Sequence, residues 1–128
     1  MILLLDTSTP ICKLSFVDGG WRFDDEWKAD RELAKGLLGY LDTHLLANGK
    51  TWTDISGIVA FKGPGSFTGL RIGLTVLNTF AGSEQVPIIG AVGENWQTEG
   101  MKRLEAGEND RIVLPEYGSE AHITKPRK

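Results

Sequence analysis

A single cysteine, Cys12, is all the thiol chemistry that this chain carries. One cysteine excludes an internal disulfide and any cluster of thiolate metal ligands. It lies in an apolar segment, "ICKLSFV", and reads as a buried structural thiol. Basic charge is scarce as well. Fourteen Lys and Arg stand against 17 Asp and Glu, a formal net charge of −3, and no basic run is longer than the closing "KPRK". A protein that grips a nucleic-acid backbone unaided normally shows a basic face. Direct, strong binding of tRNA or DNA is therefore not expected. There is no apolar stretch long enough to cross a membrane and no basic start feeding a signal-type apolar run, so the expected location is cytoplasmic, away from membranes. What remains is an ordinary globular composition: 128 residues, 41% hydrophobic and 24% charged, enough for one domain with its own core.

The order of elements follows from periodicity. "MILLLD" is a short apolar run ending in a carboxylate, as for a strand buried on both faces. "ICKLSFV" alternates, Asp18-Gly19-Gly20 is a hairpin turn, and "WRFDDEW" returns as a third strand. From Asp30 to Ala47 the period becomes helical, with Leu33, Leu37, Leu41 and Leu45 every fourth residue and Asn48-Gly49 as the stop. "GIVAFK" is a fourth strand, a second helix runs from about Ser66 to Ala81 and closes at Gly82, and "VPIIGAV" is a fifth strand. "ENWQTEGMKRLEAG" is a short third helix before a tail rich in Pro, Gly and charge. The order β-β-β-α-β-α-β-α predicts an α/β domain with a mixed five-stranded sheet.

The stretch "KGPGSFTGLRIGLT", Lys62 to Thr75, holds four glycines, Gly63, Gly65, Gly69 and Gly73, with Pro64, Phe67, hydroxyls at Ser66 and Thr68, and Arg71. A P-loop needs four residues between its glycines and then Lys-Ser/Thr; here the spacing fails and Lys62 precedes the loop. The dinucleotide pattern fails too, and Pro64 deletes one backbone N–H from any anion-binding set. Ser66 or Thr68 can cap the helix that follows, and the helix start could still draw an anion.

The helix itself is unusually apolar. At 100° per residue, Phe67, Leu70, Leu74 and Leu77 take one side, while Ile72, Val76 and Phe80 share the next with Gly69 and Gly73. The apolar arc is roughly 220°, against the ~100° that a surface helix needs. Such a helix must be covered twice. Either an outside partner lies in the groove left by Gly69 and Gly73, or the first helix or the tail of the same chain provides the cover; the partner is the expectation. On the first helix, Gly36 and Gly39 cost about 1 kcal/mol each in helix propensity, more tolerable where packing needs the space. His44 sits in its apolar arc beyond Leu37 and Leu41, with no second histidine nearby to make a metal site.

"LLLDTSTP", the strand–turn–strand, "GPGSFTGLRIGLT" and "VPIIGAV" together resemble the TsaB family, also called YeaZ, from Met1 to about Val92. The resemblance implies one lobe of the actin-like/Hsp70-like (ribonuclease H-like) ATPase fold. It also implies a non-catalytic subunit in the making of threonylcarbamoyl-adenosine on tRNA. Family knowledge implies contact with a TsaD-type transferase through the first two helices as a helical bundle. A TsaE-type ATPase joins the larger assembly, and tRNA is touched only indirectly. The residues placed at that contact are Leu37, Leu41, His44, Gly69, Gly73, Val76 and Phe80, with Gly73→Leu expected to abolish the complex and spare the monomer. The loop Gly63–Ser66 sets the entry angle of the second helix. No catalytic residue, metal or cofactor is expected.

Asp6-Thr7-Ser8-Thr9 resembles a remnant of the superfamily's first phosphate loop with its glycine replaced, so Asp6 reads as a structural carboxylate. Relatives continue into a second lobe. Residues 1–92 are expected to form the lobe, and residues 93–128 a short helix and tail in place of the second, folded on the domain or binding partner or tRNA through "KPRK". The competing readings are a nucleotide-binding enzyme using Asp6 and the Gly63–Ser66 loop, and a homodimer that hides the same helices when the partner is absent.

Overall fold

The computed structural model describes residues 1–117; the "KPRK" segment lies outside them. Strands β1 (Ile2–Asp6), β2 (Ile11–Asp18) and β3 (Trp21–Lys28) form an antiparallel meander, because the two-residue Gly19-Gly20 connection can only reverse the chain. Gly19 takes φ +61°, the left-handed conformation such a turn requires. Strands β4 (Gly57–Gly63) and β5 (Ile88–Val92) are each reached through a helix, and both run parallel to β1. The sheet order is β3-β2-β1-β4-β5.

Helices α1 (Leu33–Ala47) and α2 (Phe67–Glu84) cover one face of the sheet. The four-residue leucine repeat of α1 is fully buried, and with Leu74, Leu77 and Ala81 of α2 it closes on Leu3, Leu5, Leu14, Phe16, Ile58 and Ile88. Helix α3 (Trp96–Glu105) covers the other face. There Leu4, Val59 and Ile89 are wholly inaccessible, Gly100 brings the α3 backbone onto Val59, and Trp96 meets Phe61 edge-on at 5.6 Å. The result is an α/β/α sandwich.

Most boundaries fall where periodicity puts them, with three differences. Helix α1 is preceded by a 3-10 turn over Asp30–Glu32, Asp30 having φ +47°. Its end is the expected Asn48-Gly49: Gly49 has φ +69°, its N–H donates to the Leu46 carbonyl, and that of Lys50 to Leu45. Helix α2 does not close at Gly82. It runs a further turn to Gln85 at φ +56°, the Val86 N–H returning to the Ala81 carbonyl, and Pro87 prevents continuation. A second 3-10 turn, Trp52–Asp54, was not anticipated, although Thr51 and Asp54 stand at capping-box spacing and do cap it.

Candidate functional site

The glycine stretch is filled from within. A Cβ on Gly69 would strike the Thr7 carbonyl oxygen, and one on Gly73 would lie 2.9 Å from Thr7 Cγ2. On Gly65 it would come 2.8 Å from the Ser8 carbonyl oxygen, and on Gly63, at φ +137°, 2.8 Å from the Glu116 carbonyl carbon. The glycines thus seat the start of α2 on the Asp6–Thr9 loop and on the segment after α3. Hydrogen bonds hold the seat. Thr7 Oγ1 donates to the Gly69 carbonyl at 2.7 Å, and the Ser66 N–H donates to the Ser8 carbonyl at 2.8 Å. Asp6 is buried at the end of β1, where its Oδ1 accepts the Ser8 N–H at 2.8 Å. Ser66 is the cap of α2, accepting the Gly69 N–H at 3.2 Å; Thr68 is exposed and takes no part. Pro64 is exposed after a cis peptide bond, and Arg71 lies 5.2 Å over the Phe67 ring.

Several residues expected at a partner contact therefore stand elsewhere. Leu37 and Leu41 are buried in this chain's own core and present no surface. Gly69 and Gly73 face Thr7, so they form no groove for an outside helix, and Gly73→Leu would disrupt the monomer itself. His44 turns to β3: its Nε2 lies 3.3 Å from Asp25 Oδ2, with Phe23 and Tyr40 on either side. The same Asp25 oxygen accepts the Tyr40 hydroxyl at 2.7 Å, and burial followed by that bond pushes the phenol's pKa up. Cys12 lies beneath, its thiol pushed up to about 12 by burial first and then by Asp6 and Asp25, so it is inert. The double cover of α2 is supplied by this chain: the sheet, α1, and residues 109–117, where Asn78 and Val113 exchange hydrogen bonds at 2.9 and 2.8 Å.

Among the described residues, what stays open is the outer seam between α1 and α2. Leu38 is 59% exposed, and Val76 and Phe80 are half-buried beside it. Trp52, from the unanticipated turn, completes the wall, 5.3 Å from the Phe80 ring and held by its Nε1 donating to Asp42 Oδ1 at 3.1 Å. These residues, with Thr53 and Glu84, line an open groove of about 350 Å³ floored by Leu3 and Leu77. Helix periodicity alone does not reveal Leu38 and Trp52: Leu38 is an apolar residue just off the buried leucine stripe of α1, and Trp52 stands on a turn outside both helices. A larger cleft of about 700 Å³ lies between Pro10, Arg31, Leu33, Ser66 and Ile72 at the start of the two helices. Among the described residues, no three His, Cys, Asp or Glu gather to hold a metal.

A mixed five-stranded sheet in the order 3-2-1-4-5, with two helices on one face and one on the other, is a lobe of the actin-like class. Residues 27–92, just over half of the chain, match the family model "TsaD: tRNA N6-adenosine threonylcarbamoyltransferase". The chain is 30% identical to the tRNA threonylcarbamoyladenosine biosynthesis protein TsaB of Escherichia coli, over 87% of this chain and 51% of that protein. It is 28% identical to TsaB of Haemophilus influenzae over 97% and 52%. The solved structure of YeaZ from Pseudomonas aeruginosa superposes with a TM-score of 0.69 at 27% identity, covering 83% of this chain and 49% of that one. The chain belongs to the family of that model, as a TsaB/YeaZ homologue. It spans about half the length of the relatives that it matches.

Proposed function

We propose that this chain is a non-catalytic subunit that binds and activates a TsaD-type transferase in threonylcarbamoyl-adenosine modification of tRNA. The observation that carries the contact is the seam groove, where Leu38, Trp52, Val76 and Phe80 leave apolar surface uncovered between two helices. A partner helix laid along that seam would complete a bundle of the kind the family resemblance implies, by ridges-into-grooves packing. On the family resemblance, a TsaE-type ATPase joins the larger assembly and tRNA is met only through the partner. The filled glycine loop supports the non-catalytic reading: its glycines are taken up by Thr7, Ser8 and Glu116, and the Asp6 carboxylate is engaged by Ser8.

The test is size-exclusion chromatography with light scattering, on this chain alone and mixed with a TsaD-type subunit. A mixed complex is expected. Leu38→Glu should weaken it by about 2 kcal/mol or more, the range of a central apolar contact, with the thermal midpoint of the isolated chain unchanged. Thr98→Glu, exposed on α3 across the sheet, should leave it intact. No complex with the unaltered chain, or an unimpaired one with Leu38→Glu, would sink the proposal.

A further inference from the structure

The two edges of the sheet are guarded by different means. An exposed strand edge is a template for pairing with another chain, and proteins blunt it with charge or by covering it. Edge strand β3, "WRFDDEWK", carries Arg22, Asp24, Asp25, Glu26 and Lys28 and is guarded by its own side chains. Edge strand β5 has no such protection. Its residues "IIGAV" are apolar, uncharged and rich in β-branched side chains, a composition prone to pair with a copy of itself.

At Ile88 and Gly90 the outward backbone groups of β5 are nevertheless answered, and not by a strand. The Ile88 N–H donates to Asn109 Oδ1 at 3.0 Å, and the Ile88 carbonyl accepts the Asp110 N–H at 2.8 Å. The Gly90 N–H donates to Asp110 Oδ2 at 2.9 Å, and the Gly90 carbonyl accepts Arg103 Nη1 at 3.3 Å. Arg103 Nη2 also grips Asp110 Oδ1, and Glu108 braces Arg103 Nε at 2.7 Å. Beyond this latch the segment is pinned to α2 through Val113 and Asn78, then to the glycine loop, where the Glu116 N–H donates to the Lys62 carbonyl at 2.7 Å. The absence of a side chain at Gly90 admits Val113, and at Gly63 the Glu116 backbone.

We infer that Asn109 and Asp110, braced by Arg103 of α3, are an edge guard: they occupy the hydrogen-bonding edge of β5 at Ile88 and Gly90 and keep it from pairing with β5 of a second copy of this chain. Freed of the guard, two β5 edges are identical and self-complementary. They can pair antiparallel about a two-fold axis, the commonest closed arrangement.

The experiment uses the full chain with Leu38→Glu in every sample, which closes off association through the seam. Amide exchange is read by NMR and mass by light scattering, from micromolar to millimolar protein. With the guard intact, the Ile88 and Gly90 amides are protected and the chain is monomeric. In Asn109→Ala/Asp110→Ala, both amides should lose at least about tenfold in protection at low concentration while Val59 keeps its own. At high concentration a dimer should form and protection at Ile88 and Gly90 should return. A folded double variant that keeps both amides protected when dilute, or that stays monomeric when concentrated, overturns the inference. If the double variant does not fold, Asn109→Ala alone decides, since it leaves the Arg103–Asp110 latch. The Ile88 amide must then lose protection and Gly90 retain it, and unchanged protection at Ile88 overturns the inference as well.

Discussion

At the scale of single residues, the glycines separate into those that a neighbour requires and those that nothing requires. Gly73 is buried in α2 against the Thr7 side chain, which itself donates to the Gly69 carbonyl. A methyl group there must displace Thr7 or lift the helix. Gly39 sits exposed in the middle of α1 with nothing within 4 Å of its Cβ position. Both gain about 1 kcal/mol of helix propensity on becoming alanine, but only Gly73 meets the cost of overpacking, typically about 1–3 kcal/mol. Gly39→Ala should therefore raise stability in urea titration, and Gly73→Ala should lower it or at best break even. A Gly73→Ala variant as stabilised as Gly39→Ala would mean that the α2 seat on Thr7 is loose.

At the scale of elements, the strands, helices and parallel crossovers were legible because each depends on a local period and a short connection. The leucine repeat marked α1, alternation marked β2, and Asn48-Gly49 marked a stop that the structure builds as a Schellman turn. Gly82 misled because an exposed glycine can be carried inside a helix when the chain beyond it still finds partners, as Val86 does at Ala81. What periodicity could not show is which neighbour an apolar face meets. Leu37 and Val76 look alike in sequence, yet one is core and the other rim; for α2, what seats the helix is the Thr7–Gly69 and Ser8–Ser66 contacts, residues far apart in the chain. The β5 edge was equally hidden, its partners being side chains of an aperiodic segment. There, burial pushes the Asp110 carboxyl's pKa up, but the Gly90 N–H and the Arg103 guanidinium outweigh it and hold the pKa below the usual carboxylate range. A depressed carboxylate contributes stability above its unfolded value of about 3.9 and loses it as pH falls toward the folded value. The stability gap between the unaltered chain and Asp110→Asn, read by urea denaturation, should stay level from pH 7 to about 4 and narrow below that. A gap that widens in acid, or that is absent at pH 7, would contradict the latch.

At the scale of the whole molecule, the balance of charge and apolar surface says how the proposed complex should respond to salt. The chain is mildly acidic, and the seam groove is walled by Leu38, Trp52, Val76 and Phe80, with Glu84 as a charge on its rim. An association carried by such a surface gains little from ion pairs. Exposed charges are largely screened beyond about 10 Å at 0.1 M salt, and salts excluded from protein surfaces strengthen apolar burial. Direct contact with tRNA would behave in the opposite way. Each neutralised phosphate makes log K fall with a slope of about −0.9 against log salt on a duplex, so a handful of contacts weakens binding by orders of magnitude over a modest salt range. Affinity for the TsaD-type subunit should therefore be nearly flat between low and high sodium chloride and rise in sodium sulfate, as measured by calorimetry. Binding of tRNA to the isolated chain should be weak throughout. If the protein–protein affinity collapsed with added chloride, the contact would lie on charged surface such as β3, and the α1/α2 seam would have to be given up as the interface.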